Sequence, residues 1–162
     1  MQVNRISRLH RGLGLVLLVG LAACGGDGHH PGDGHDHGDG GHSHAAPHGG
    51  LLIELGDHEA NVELLLDAEA GTLTLYALGP HAEEPVRLAA EGIDLTVTLA
   101  EGPVQLTLAP VARELTGETV GDTSEFSITD ARLVGLSELA GTLPAIEVRG
   151  GSYSDLTFGA AD

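Results

Sequence analysis

From residue 49 onward the apolar positions of the chain recur with a period of two. Val62, Leu64 and Leu66 fall on one side of an extended chain, then Leu73, Leu75 and Ala77, then Ile93, Leu95, Val97 and Leu99. This is the spacing of half-buried strands. Shorter alternations at Val104, Leu106 and Leu108, at Phe126 and Ile128, at Ile146 and Val148, and from Tyr153 to Phe158 extend the series. Ala68 to Gly71 suits a four-residue hairpin loop and Gly150-Gly151 a two-residue one, because glycine enters the positive-φ conformations that tight hairpins need. One stretch has another period: Leu133, Leu136 and Leu139 or Ala140 recur as on a helix, after Asp130 as N-cap and before Gly141 as stop. A short helix is therefore expected from Ala131 to Ala140, with Gly135 an unfavourable interior residue. Eight or nine short strands and one short helix predict an all-β domain over residues 49–162, an antiparallel β-sandwich or small barrel. Its core would be Leu, Val, Ile and Ala, since its aromatics are Tyr76, Phe126, Tyr153 and Phe158, and no aromatic groove for sugars or bases is expected.

The pattern stops abruptly on the N-terminal side. From Gly25 to His48 the chain is built mainly of Gly, His, Asp and Pro, with Ala45 and Ala46 as its few apolar residues. Such a segment cannot offset an ordering cost of roughly 1–2 kcal/mol per residue, so residues 24–48 are expected to be a disordered tether. Earlier still, Arg5, Arg8 and Arg11 precede an apolar run from Gly12 to Leu21. That order is the one found in secretory signal peptides, and the run is shorter than the roughly 20 residues a spanning helix needs. It closes on Leu21-Ala22-Ala23-Cys24, which resembles the bacterial lipobox. The resemblance implies removal of residues 1–23, acylation of Cys24 by more than one fatty chain, and attachment to a membrane in the cell envelope, facing the periplasm. Gly25 and Gly26 follow the cysteine, with no aspartate at the second position, which the resemblance reads as outer rather than inner membrane. Acylation also accounts for a single cysteine sent to an oxidising compartment, where an unpaired thiol would be out of place.

Without residues 1–23, four arginines face 24 acidic residues, giving a net charge of −20 with histidines neutral, and there is no lysine. A surface of that sign repels nucleic acid and anionic head groups and concentrates cations. The histidines show which cations. His29, His30, His35, His37, His42, His44 and His48 lie within twenty residues, interspersed with Asp33, Asp36 and Asp39. Neutral imidazole is a ligand for divalent transition metals, and pairs such as His35 with His37 or His42 with His44 close a chelate loop at little further entropic cost. Beyond Met1 the chain has no methionine, and Cys24 is assigned to lipid, so the soft ligands that select Cu(I) are missing. Imidazole with carboxylate suits Zn(II) first, with Ni(II) and Cu(II) also accommodated.

Pro47-His48-Gly49-Gly50, the strand from Leu51, then Val62-Glu63-Leu64 and Thr74-Leu75-Tyr76 resemble a family of small His-rich extracytoplasmic proteins and the N-terminal region of periplasmic adaptor subunits of heavy-metal efflux pumps. The resemblance implies a link to metal efflux and a partner in that machinery or elsewhere in the envelope. In that family a histidine commonly stands two residues before the glutamate of the second strand; here the position is Asn61. Weaker metal candidates in the folded part are therefore His58, Glu63 and His81, of which His58 and His81 read better as exposed loop residues. His58-Glu59 opens a zincin-like pattern, but Val62 stands where its second histidine belongs. Nucleophile elbows, phosphate loops and dinucleotide fingerprints do not occur in the sequence. The reading is a non-catalytic metal-binding lipoprotein. Its competitor is an envelope interaction module whose His-rich segment is only a spacer.

Overall fold

The computed structural model describes residues 45–159. Cys24, the six histidines from His29 to His44, and residues 1–23, expected to be a signal peptide, lie outside the described residues. Eight strands form one antiparallel sheet: β1 (Leu51–Leu55), β2 (Ala60–Asp67), β3 (Thr72–Leu78), β4 (Ile93–Leu99), β5 (Gly102–Pro110), β6 (Glu125–Thr129), β7 (Gly141–Val148) and β8 (Gly151–Phe158). Their order across the sheet is β1-β2-β3-β6-β5-β4-β7-β8. The chain thus leaves β3, builds the β4–β5 hairpin, and returns to insert β6 between β5 and β3. The sheet curls until its end strands β1 and β8 meet, where the Tyr153 hydroxyl donates to Glu59 across the seam at 2.7 Å. The result is the expected all-β architecture, as a nearly closed barrel.

The period-two positions line its interior. Val62, Leu64, Leu73, Leu75, Ala77, Leu95, Val97, Leu108, Phe126 and Leu143 are all buried. Register links them: Leu64 pairs with Leu75 and Leu75 with Phe126, so three adjacent strands present one apolar row. The loop from Ala68 to Gly71 is the four-residue connection expected, since Asp67 pairs with Thr72. Asp67 Oδ1 accepts from the backbone of Glu69 and Ala70, each at 3.0 Å.

Two expectations are corrected. The second hairpin turns at Arg149-Gly150, one residue earlier than the glycine pair suggested, because Val148 pairs with Gly151. Arg149 has φ 54° and Gly150 φ 82°, the two positive values of a type I′ turn. The helix expected from Ala131 to Ala140 is a single 3-10 turn, Ala131–Leu133, although Asp130 does cap it by accepting from Arg132 N at 2.9 Å. Gly135 adopts φ 75°, which a right-handed helix cannot contain. The chain then continues without helix through bends at Ser137 and Glu138, with Leu133 buried and Leu136 and Leu139 packed at the edge of the core.

Candidate functional site

The outer face of β2, β3 and β6 carries a second row, opposite in parity to the core. Glu63 pairs with Tyr76 and Tyr76 with Glu125, so two carboxylates flank one phenol ring. The segment ahead of β1 folds over this row. Gly49 takes φ 80° and its N–H bonds to the Ala46 carbonyl at 3.1 Å. A Cβ on Gly50 would lie 2.4 Å from the Leu64 carbonyl oxygen, so only glycine allows the chain to lie so close to β2. This is a physical reason for the Gly49-Gly50 pair.

That approach brings His48 to Glu63. The Glu63 side chain is fully buried and accepts from His48 N at 2.9 Å, from Gly50 N at 2.8 Å and from His48 Nδ1 at 2.8 Å. The imidazole also stacks on Tyr76, with ring centroids 3.8 Å apart and planes 13° from parallel. An ionised carboxylate is an acceptor only, so in this pairing Nδ1 is the donor and Nε2 is the ring nitrogen that Glu63 does not engage. The last histidine of the tract, expected in the tether, is thus fixed on the barrel.

Beside it lies a pocket of about 500 Å³, lined among others by His48, Tyr76, Glu83, Arg113, Ser124 and Glu125. Arg113 forks onto Glu125, Nε to Oε2 at 2.5 Å and Nη2 to Oε1 at 2.7 Å. Burial, and then the charges of Glu125 and Glu63, push the Tyr76 hydroxyl above its ordinary value, with Arg113 opposing. Glu118 accepts from Ser124 Oγ at 2.6 Å, Thr116 Oγ1 at 2.5 Å and Ser124 N at 2.9 Å. These donors, the Ser124 hydroxyl first, hold its carboxyl at about 2 against an ordinary 4.5.

The depressed Glu118 value fixes a pH dependence. Its contribution to stability is complete above the unfolded value and is lost as pH falls from about 4.5 toward about 2. Glu118→Gln is therefore expected to show a shallower loss of thermal midpoint between pH 5 and pH 2. Asp130, held at about 2 by Arg132, retains a share of that slope. An unchanged slope in the variant would rule out the three-donor account.

The weaker metal candidates are not brought together. His58, in the β1–β2 turn with φ 58°, lies 3.0 Å from Glu54 through Nδ1. His81 is exposed in the connection after β3, and Glu63 is engaged by His48 and Gly50. Asn61, where the resemblance would place a histidine, is buried and donates through Nδ2 to the carbonyls of Gly79 at 2.8 Å and Pro80 at 3.1 Å. Its Oδ1 has no hydrogen-bond partner among the described residues. No group of three or more His, Cys, Asp or Glu among the described residues is placed to hold a metal ion.

Tyr76, Glu118, Arg113 and Glu125 were not anticipated as site residues. The first could have been found, because a four-residue loop after Asp67 already sets Glu63 opposite Tyr76. Arg113 and Glu118 lie in the long connection between β5 and β6, which carries no periodic signal, and Glu125 opens β6 at the end of that connection.

No protein-family model matches this chain. Searches of curated proteins and of solved structures likewise return no significant match.

Proposed function

We propose that this is a non-catalytic lipoprotein, anchored in the cell envelope through Cys24, that captures or buffers divalent transition metal with its histidine tract. Zinc is the first candidate cargo, with Ni(II) and Cu(II) as further ones. The observation that carries the reading is His48: the seventh histidine of the tract has Nδ1 tied to a buried carboxylate at 2.8 Å. Histidines that bind metals in proteins typically donate their other ring nitrogen to a carboxylate or carbonyl in this way. The acidic surface, at −20 after loss of the signal segment, raises the local cation concentration. Handover to or from a metal-efflux system is the role suggested by the resemblance, which covers most of residues 47–158 in pattern.

Equilibrium dialysis of the full chain against Zn(II), followed by elemental analysis, tests this. More than one ion per chain is expected, since seven histidines divide among sites. Replacing all seven by serine should remove most of that zinc, and Cu(I) should bind weakly to either form for want of sulfur. Equal zinc content in the two forms would refute the assignment.

A second reading, an envelope interaction module, draws on the connection between β5 and β6. Arg113 to Glu125, Arg87 to Asp122 and Glu118 to Ser124 brace it, and it presents Leu115 and Val120 at 103% and 65% exposure. On this reading the serine variant keeps its biological function, because spacer length is unchanged.

A further inference from the structure

We propose that the cleft between β4 and β7 is a site of its own, separate from the histidine tract, that binds a monocarboxylate carried on a short aliphatic chain, with Arg149 holding the carboxylate. Among the described residues, two ladder pairs join these strands, Thr96 with Thr142 and Val97 with Gly141. Carried on, that register would set Asp94 opposite Pro144, which has no N–H to give to a neighbouring strand. Leu143 and Ile146, both buried, stand three residues apart rather than two, so β7 bends at Pro144-Ala145 and leaves β4. A cleft of about 480 Å³ opens where the strands part, a size that suits a small ligand. Its floor is Leu88, Ile93 and Ile146, all buried. Ala89, Ala90 and Ala145 line it as well, and their small side chains leave the space unfilled.

Arg149 lines this cleft from the β7–β8 turn, and its setting differs from that of the other arginines among the described residues. Arg87, Arg113 and Arg132 each hold a carboxylate, of Asp122, Glu125 and Asp130. Arg149 is exposed and makes no ion pair or hydrogen bond among the described residues, in a chain with 24 acidic side chains. It also takes φ 54° as the first central residue of a type I′ turn, where asparagine or glycine sits at less cost. Strain of this kind clusters at binding sites. A guanidinium without a partner, beside an apolar floor, matches a carboxylate with a hydrocarbon tail. Arg87 lines the cleft too, with its charge engaged by Asp122. Glu147, whose carboxylate lies 3.5 Å from Ser152 Oγ, is the remaining charged group of the lining. It repels a doubly charged phosphate more strongly than a monocarboxylate.

Titration of the full chain with sodium hexanoate, followed through backbone 1H–15N shifts, tests this. Saturable shifts are expected at Ala89, Ala145 and Gly150. Acetate, which lacks the aliphatic chain, should bind at least about tenfold more weakly, as should inorganic phosphate, and hexylammonium should not shift these amides. Arg149→Asn should lower hexanoate affinity about tenfold or more, through loss of a charge-assisted pair, while Tm stays level or rises because asparagine suits the turn. Ala145→Leu fills the cleft without touching the arginine and should also remove binding; Ala145 is exposed, so the barrel should accept it. If Arg149→Asn fails to fold, Ala145→Leu and the ligand series decide the matter alone. Absence of saturable hexanoate shifts, hexanoate binding that persists in either variant, or phosphate binding as tight as hexanoate overturns the inference. None of these outcomes bears on zinc binding by the tract, so failure of the one leaves the other standing.

Discussion

Gly141→Ala is expected to lower the stability of the domain by about 3 kcal/mol or more, beyond the usual range for overpacking because backbone must move. The cause is the contact between β4 and β7. Their ladder consists of Thr96 with Thr142 and Val97 with Gly141, extended by Thr98 N donating to the Ala140 carbonyl at 2.8 Å. A Cβ at Gly141 would sit 1.9 Å from the Thr96 carbonyl oxygen and 2.9 Å from the Phe158 ring. The backbone of β4 cannot retreat without breaking that ladder, and the ladder is what joins the β7–β8 hairpin to the rest of the sheet. In a domain of this size the loss corresponds to a fall in Tm of about 10 °C or more. Hydrogen exchange should show the amides of β7 and β8 losing protection first. A midpoint within 2 °C of wild type would mean that the two strands separate at no cost, contrary to the packing of Phe158.

Cys24→Ala is expected to change location as completely as Gly141→Ala changes stability. Multiple acyl chains bind a bilayer firmly, each buried methylene contributing about 0.8 kcal/mol, and the reading of Leu21-Ala22-Ala23-Cys24 as a lipobox makes Cys24 their only attachment point. The variant should take up no labelled fatty acid and should move from the detergent phase to the aqueous phase on temperature-induced phase separation. Retention in the detergent phase would remove the lipoprotein assignment and would leave the histidine tract unexplained by proximity to a membrane.

The strands were legible because burial on one face leaves a period-two trace, and each predicted apolar set from Val62 to Phe158 falls on a strand. Turn position was less so. Arg149 occupies a positive-φ site that its residue type does not signal, and the neighbouring glycines drew the turn one residue toward Gly151. The helix failed for a related reason: three-residue spacing of Leu133, Leu136 and Leu139 is also met by an irregular segment that bends at Ser137 and Glu138 along the core edge, and Gly135 with φ 75° decides between them. At the site, the sequence singled out His48 and Glu63 separately and did not join them. Their contact depends on Gly50 lying against the Leu64 carbonyl, a backbone approach that composition marks only as two glycines. Glu125 and Arg113 meet through register set by β6 inserting beside β3, which is a long-range property.

The gap between β1 and β8 bears on how the molecule behaves in crowded surroundings. An unclosed barrel keeps two strand margins with backbone groups available, and such margins are templates for intermolecular pairing and fibrous aggregation. Here β1 is five residues long and carries Glu54 pointing to solvent, while β8 is interrupted at Asp155, whose φ of 55° takes the backbone out of strand geometry opposite Pro144. An incoming strand would find a short run on one side and a kinked, charged one on the other, with the Glu59–Tyr153 bond drawing the two margins together. Among the described residues, the build of the two margins therefore opposes self-polymerisation, even where many copies share a small volume.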